Sequence, residues 1–331
     1  MEFRPIESSE VRSILENACD TKGSIGFRKF IEIALYHPKI GYYRSDRPRI
    51  GKSRESDFFT ASSLKSAFAP IILEASINLA KAISLNPNEL AWIEIGPEPG
   101  NQLFSDIETP FRTITSIALG ESFQIEGPAI VFSNEVFDAQ PFSSVVYRQG
   151  CWLEKRFEVS DEGIRTIECQ PRSDDILDRL PDLPHPTSEG YNIDLPTGAS
   201  DLLEDIAGLD WQGVFLAFDY GKTWQSLAFD TAQGTGRAYS SHQQYSELLE
   251  RIGQQDITCH ICWDWLIHKL EKHGFKSIDL QSQESFILRG APAFLKRAFE
   301  GENDQMGPLR QLVHPTMMGQ KFQALSAIRT A

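Results

Sequence analysis

The chain has 331 residues, 41% hydrophobic and 24% charged, with 32 basic against 46 acidic residues and a formal net charge of −14. This length and composition support a large globular core, in one domain with an insertion or in two domains. The acidic balance argues against nucleic acid or anionic lipid as a partner, because both carry phosphate charge of the same sign.

No stretch approaches the roughly 20 apolar residues of a membrane span. Residues 1–20 lack the apolar run of a secretory signal and carry too much acid for a transit peptide. A cytoplasmic, most simply bacterial, location is the expectation. The five cysteines (Cys19, Cys151, Cys169, Cys259, Cys262) are scattered and do not form a disulfide framework. Cys259-His260-Ile261-Cys262 has C-x-x-C spacing but no second ligand pair, so no metal is expected there. His242, Asp256 and His260 form an alternative set for a metal hydrolase.

Two helices open the chain. Ser8-Ser9-Glu10 caps the first, with Val11, Ile14 and Leu15 on its apolar face. Phe27, Phe30, Ile31, Ala34 and Leu35 mark the second. After His37-Pro38 an extended Lys39–Tyr43 is expected, then a basic loop over 44–56. A long helix over 63–85 follows, with Leu64, Phe68, Ile71, Ile72, Ala75, Leu79 and Ile83 on one face. Ala91–Ile95 reads as a buried strand broken by Gly96-Pro97, with Gly100 farther along the turn. Such a turn lies at the carboxyl end of a strand, where glycine lets the backbone approach a nucleotide.

Further strands are expected at 113–119 and at Ala129–Ser133, after a Gly127-Pro128 turn. A hairpin follows from Val145–Tyr147 and Trp152–Val159 around Gln149-Gly150. Residues 171–196 read as a surface connection and 199–207 as a helix. Val214–Phe218 is another buried strand, followed by a loop over 222–242, a helix at Tyr245–Ile252, a strand at Asp256–Ile261 and a helix at Trp263–His273. Lys276–Leu280 and Ser285–Leu288 are expected as closing strands, and Ala293–Phe299 and Met318–Ile328 as helices. Strands alternating with helices define an α/β chain with a mainly parallel sheet and helices on both faces.

Three apolar strands end in polar clusters: Gly96–Gly100, Asn134-Glu135 with Asp138, and Asp219-Tyr220-Gly221. In a parallel sheet these ends meet on one edge. Carboxylates at Glu135, Asp138 and Asp219 then suit a cationic group such as a guanidinium, or orient a nitrogen nucleophile and take its proton. The structural reading of the same residues is equally simple: Asp138 caps a helix and Asp219 starts a turn.

The order of motifs resembles the MidA-like family of S-adenosylmethionine-dependent methyltransferases. The stretches are Gly41-Tyr42-Tyr43, Asp57-Phe58-Phe59-Thr60, Ile93-Glu94-Ile95-Gly96-Pro97 with Gly100, Asn134–Ala139, and Trp152 with Glu154. Farther on they are Asp219-Tyr220-Gly221, Arg237-Ala238-Tyr239 with His242, Asp256-Ile257-Thr258 with His260, and Met318-Gly319 with Phe322. They span nearly the whole chain in order. The resemblance implies a Rossmann-like methyltransferase fold, with a helical N-terminal region at 1–90 and a core at 91–331 that carries a hairpin and loop insertion at about 143–200. It implies S-adenosylmethionine as cofactor, with Gly96, Pro97 and Gly100 against it and Asp57 and Thr60 closing the pocket; Glu121, which follows the next strand, is the candidate for the ribose. It implies Asn134, Glu135 and Asp138 as catalytic residues and Asp219, Tyr220 and His260 on the substrate side. The family includes mitochondrial factors that methylate an arginine of a respiratory complex I subunit, so a protein arginine or similar cationic nitrogen is the implied substrate. A respiratory complex subunit is one such partner.

The chain departs from the family pattern at several points. Glu98-Pro99 stands where the family loop has a further glycine, Ala61-Ser62-Ser63 replaces Ser-Pro-Glu, and Cys262-Trp263 replaces Asp-Phe. The segment between Gly100 and Asn134 is shorter than the family norm and omits a helix and the strand whose terminal acid would bind the ribose; if Ser116-Ile117-Ala118-Leu119 matches the strand before Asn134-Glu135, that contact is missing. These departures leave a second expectation: a degenerate member that keeps the fold and works as a binding or assembly partner.

Overall fold

The computed structural model describes all residues except 1, 7, 45–60, 98–99, 119, 186, 241–242, 302–304 and 331. The chain forms two compact units. One comprises Met1–Phe58, Phe137–Asp201 and Lys222–Asp264; the other comprises Phe59–Val136, Leu202–Gly221 and Trp265–Ala331.

The second unit is built on a six-stranded sheet. We number its strands in chain order: β1 (Ala91–Ile95), β2 (Thr113–Ile117), β3 (Gly127–Asn134), β4 (Trp211–Asp219), β5 (Lys276–Ser282) and β6 (Gln323–Arg329). Their spatial order is β5-β6-β4-β3-β1-β2. The β2-β1, β1-β3 and β3-β4 pairs are parallel, whereas β6 runs antiparallel to both β4 and β5. The mainly parallel sheet expected from the sequence is therefore present. β1 is buried along its whole length, as a strand covered on both faces should be. One core packs Phe68 of the helix Lys65–Ala82 with Trp92, Phe132 and Phe218 of the sheet and with Phe286, Phe294 and Leu312 of the C-terminal helices. Trp92 stacks on Phe111 and Phe132, at centroid distances of 5.5 and 5.1 Å.

The close approach of β3 and β4 needs Gly213. Its φ is +128°, and a Cβ there would stand 2.1 Å from the Ala129 carbonyl oxygen. Gly213 is the register partner of Ala129, so a side chain would force the two strands apart.

The first unit holds the helices Ser9–Asn17 and Phe27–Tyr36 and a five-stranded antiparallel sheet. The expected hairpin is there, as Ser143–Arg148 paired with Cys151–Ser160. Phe27, Phe30, Phe142 and Phe157 fill the core. Within it, Arg156 donates to the buried Glu154 carboxylate at 2.6 Å and to Asp20 at 2.8 Å. Ser173 and the Arg172 N–H satisfy the other Glu154 lone pairs, as a buried charge requires. A three-stranded sheet made of Gln243–Tyr245, Arg237–Ser240 and Asp256–Thr258 completes the unit.

Several local expectations give way to tertiary context. Met318–Ile328 is not a helix: residues 323–329 form β6, whose backbone is paired on both sides by β4 and β5. Ser285–Leu288 is not a strand but part of the helix Gln283–Gly290, capped by the Ser282 side chain, which accepts from the Ser285 N–H. Tyr245–Ile252 is not a helix. Tyr245 ends a strand, and the chain then turns back through Arg251 (φ 51°) and Gly253 (φ 75°). Lys39–Tyr43 closes as a short 3-10 turn at Tyr42–Arg44 rather than running extended. The segment 171–196 contains a strand, Asn192–Leu195, paired with Ser143–Val146. Among the described residues no helix is long and apolar enough to cross a membrane.

Candidate functional site

The parallel strands of the second unit bring their carboxyl ends to one edge. Register partners fix the alignment: Ile95 pairs with both Ile117 and Ser133, and Asn134 pairs with Phe218. The edge therefore carries, side by side, the residues after β2, the Gly96 turn after β1, Asn134-Glu135 after β3 and Asp219-Tyr220 after β4. This is where ligands bind in open α/β sheets.

Gly96 has φ +67° and Gly100 φ +75°, the left-handed region that glycine enters at little cost. The Gly96 N–H donates to the Ile117 carbonyl at 2.8 Å, which ties the turn to the end of β2. A Cβ at Gly100 would meet nothing within 4 Å, so the backbone borders open space there. Pro97 lies between them and is half-buried. No helix follows the turn: residues 101–112 run through turns before β2. Glu121 lies just past β2, exposed, and its carboxylate accepts from the Ala118 N–H at 3.1 Å. Glu98, Asp57 and Thr60 lie outside the described residues.

Glu94 was not singled out from the sequence, and it is a strongly perturbed acid near this edge. It sits inside β1, is 8% exposed, and accepts from the Leu103 N–H at 2.8 Å. Burial raises its pKa to about 7, against the smaller downward effects of the Leu103 hydrogen bond and the Lys65 ammonium. The signal in the sequence is a carboxylate in the middle of an otherwise apolar strand. Its hydrogen bond spans the Gly96–Gly100 turn and fixes where the chain returns.

At the end of β3 the backbone itself is strained. Glu135 is not a glycine, yet its φ is 54°, a conformation that costs of order 1–3 kcal/mol and is found disproportionately at functional sites. Contacts among the described residues hold it. Its N–H donates to the Phe218 carbonyl at 2.8 Å; its Oε1 accepts from the Asn134 amide at 3.0 Å and from the Ala61 N–H at 3.1 Å. Asp219 is fully buried. One carboxylate oxygen accepts from the Val136 N–H at 3.2 Å and the other from the Tyr220 N–H at 2.8 Å. Asp219 thus clamps the turn that presents Glu135. The Tyr220 ring packs edge-on against Phe322 at 5.5 Å.

Asp138 and His260 belong to the first unit. Asp138 does not cap a helix; it is 5% exposed, and its carbonyl accepts from the Cys259 N–H at 2.9 Å. The same unit holds Asp256, whose Oδ1 accepts from the Tyr43 hydroxyl at 2.9 Å. Tyr43 stacks on Tyr36 with centroids 5.4 Å apart. Burial, then Asp256 and Asp138, push both phenols well above their ordinary pKa. His260 lines a cavity of about 450 Å³ with Lys222, Asp230, Arg237, Tyr239 and Gln244. Burial, followed by Lys222 and Arg237, pushes its pKa down to about 4, so the ring is neutral at physiological pH. Among the described residues no group of three or more His, Cys, Asp or Glu is placed to hold a metal. His242 lies outside those residues.

Comparison with known proteins bears on this geometry. Residues 72–280 match the family described as "Putative S-adenosyl-L-methionine-dependent methyltransferase". The structure is similar to a COG1565 superfamily member from Burkholderia thailandensis bound to S-adenosyl-homocysteine, with a TM-score of 0.83 and 19% identity over 97% of this chain and 91% of that one. A native crystal structure of a COG1565 superfamily protein from the same organism matches with a TM-score of 0.78 and 18% identity, over the same shares of both chains. At these identities the likeness establishes the fold. No curated protein sequence matches the chain. The family match covers well over half of the 331 residues, and the chain belongs to this family of S-adenosylmethionine-dependent methyltransferases. That agrees with its resemblance to the MidA-like proteins and makes S-adenosylmethionine its cofactor.

Proposed function

We propose that the chain transfers a methyl group from S-adenosylmethionine to a nitrogen that is cationic in its resting state, a protein arginine or a group like it. The observation that carries this reading is the edge of the parallel sheet, where the Gly96 turn and the strained Glu135 stand at the ends of adjacent strands. Gly96, Pro97 and Gly100 are the residues that would hold the cofactor, with Glu121 beyond the end of β2. The positive φ of both glycines and the open space beside Gly100 suit a close ligand. The cofactor supplies a methyl group on a sulfonium sulfur.

The chain's own residues do the rest. The Glu135 carboxylate, oriented by Asn134 and by the Ala61 N–H, is placed to bind a cationic nitrogen and accept its proton. Within the first unit, Asp138 and Asp256 are buried carboxylates, and Asp256 with the stacked Tyr36 and Tyr43 forms an acidic, aromatic group that suits a guanidinium. Asp219 acts as a positioning residue through Val136. Fixed placement, rather than acid strength, is then the main source of rate.

The test is transfer of a labelled methyl group to arginine-containing proteins of a bacterial extract, read as methylated arginine after hydrolysis. Label on arginine, lost in Glu135→Ala and in Asp138→Ala, is the expected result. Label on another residue type would overturn the arginine assignment, and full turnover in both variants would remove the roles given to the two carboxylates.

A further inference from the structure

The cavity beside His260 has a charge that the cationic-nitrogen reading does not use. Its lining includes Lys222 and Arg237 against one acid, Asp230. Neither cation has a carboxylate within 4.0 Å among the described residues. The Arg237 guanidinium donates instead to two neutral carbonyls, those of Gly236 at 2.6 Å and Gly234 at 3.4 Å. In a chain of net charge −14, two cations that line one cavity with a single acid, and that make no ion pair among the described residues, call for an explanation.

The cavity is also rigidly built. Gly234 and Thr235 form part of its wall, and Asp194 fixes their turn by accepting from the Thr235 N–H at 2.7 Å and the Gly236 N–H at 2.8 Å. Gly234 has φ +66°, and a Cβ there would lie 2.3 Å from the Asp194 Oδ2. Asp194 is spent on backbone donors and on the Ser144 hydroxyl at 2.6 Å.

The three-stranded sheet beside the cavity has one polar and one apolar face. Arg237 pairs with Thr258, and Tyr239 with Asp256 on one side and Gln244 on the other. Directly opposed residues, and residues two apart in a strand, share a face. Arg237, Tyr239, Gln244, Asp256 and Thr258 therefore lie on the same face. Ala238, Ile257 and Tyr245 occupy the other, which joins the hydrophobic core. Along the polar face charge is graded: Arg237 lies opposite Thr258 at one end, and Tyr239 opposite Asp256 at the other. The Tyr239 hydroxyl donates to the Gln244 Oε1 at 3.1 Å, which leaves the Gln244 amide as a donor.

We propose that this cavity is an oxyanion subsite, in which Lys222, Arg237 and the Gln244 amide bind a carboxylate or phosphate group of the methyl acceptor. The acceptor is then a molecule or peptide that carries an oxyanion as well as the nitrogen that is methylated. Guanidinium and ammonium donors that outnumber the one acid of the lining, Asp230, suit such a group. A neutral imidazole beside them adds no further positive charge. The role given to the bound group rests on the methyltransferase reading, but the binding of an anion does not.

The experiment titrates the full-length protein, labelled with 15N-histidine, with inorganic phosphate and separately with acetate. The His260 signal is assigned from a His260→Gln sample. The native protein should show saturable movement of the His260 ring resonances and a rise of at least about one unit in its pKa, because a bound anion offsets the two cations. Lys222→Gln and Arg237→Gln should each weaken anion affinity by roughly tenfold or more, the loss of one charge-assisted hydrogen bond. A response to phosphate alone assigns a phosphoryl group, and a response to acetate alone assigns a carboxylate. Silence of His260 toward both anions in the native protein overturns the proposal, whatever the variants do, and so does unchanged affinity in folded variants. A parallel titration with S-adenosylmethionine separates the two readings. If anions bind and the cofactor does not, the methyltransferase reading falls and the subsite stands; the reverse result removes the subsite alone.

Discussion

Replacing Glu94 by glutamine should change how stability depends on pH, in a direction fixed by its burial. The carboxyl of Glu94 has an ordinary pKa of 4.5 and is raised to about 7 in the folded chain, chiefly by burial. Between these values the unfolded chain releases the proton while the folded chain keeps it. Stability from this group is therefore fully present below pH 4.5 and is lost as pH rises through about 7. At about 1.4 kcal/mol per pH unit, the gap corresponds to about 3 kcal/mol. Glutamine keeps the acceptor for the Leu103 N–H and removes the titration. Urea unfolding of both proteins at several pH values should show the native protein losing about 3 kcal/mol relative to Glu94→Gln between pH 4.5 and 7. A difference that stays constant with pH would refute the burial argument. Glu94→Leu is the companion variant. It leaves the Leu103 N–H without its acceptor, a cost of about 1–3 kcal/mol, and should also weaken cofactor binding, because the return of the Gly96–Gly100 turn depends on that bond.

Glu135→Ala and Asp138→Ala should each lower methyl transfer by at least about 100-fold, with far-ultraviolet circular dichroism unchanged. Gly213→Ala should lower the unfolding free energy by at least about 2 kcal/mol, read by thermal or urea denaturation; a neutral effect would mean that β3 and β4 separate more easily than their register suggests. Glu204 is held at a pKa of about 2 by Lys269, then Lys272, with a smaller contribution from His273. Its contribution is present above pH 4.5 and lost as pH falls toward 2. One-third of the side chain is exposed, so screening limits the cost of Glu204→Gln to about 1 kcal/mol at pH 7. Acid titration of the two proteins should converge at low pH.

Features dictated by local chemistry were legible in the sequence. Ala91–Ile95, Ala129–Ser133 and Val214–Phe218 are apolar runs that end in glycine, asparagine or aspartate, and they are the central parallel strands. The hairpin around Gln149-Gly150 follows from alternation and a turn pair. Elements whose conformation is imposed by neighbours were not legible. Gln323–Arg329 contains alanine, leucine and isoleucine in a pattern that suits a helix, and becomes a strand because β4 and β5 offer unpaired backbone on both sides. Gln283–Gly290 contains Phe286, Ile287 and Leu288 in sequence, a short apolar run that length alone does not assign; the Ser282 cap decides it. At the site, the convergence of strand ends was readable once the sheet was taken as parallel. That Asp219 is a buried clamp was not, because an aspartate at a strand end looks the same whether it faces backbone or ligand. Nor was the role of Glu94, Lys222 or Arg237, which depends on burial and on what lies across space.

The central claim is that the Gly96–Gly100 turn and its neighbours hold S-adenosylmethionine despite Glu98 and the missing helix. Calorimetric titration of the purified protein with S-adenosylmethionine tests it most directly. Saturable heat at one site per chain is expected, with a matching rise in thermal midpoint as ligand increases. No heat and no thermal shift at millimolar cofactor would contradict it, and would leave a methyltransferase fold that works as a binding partner.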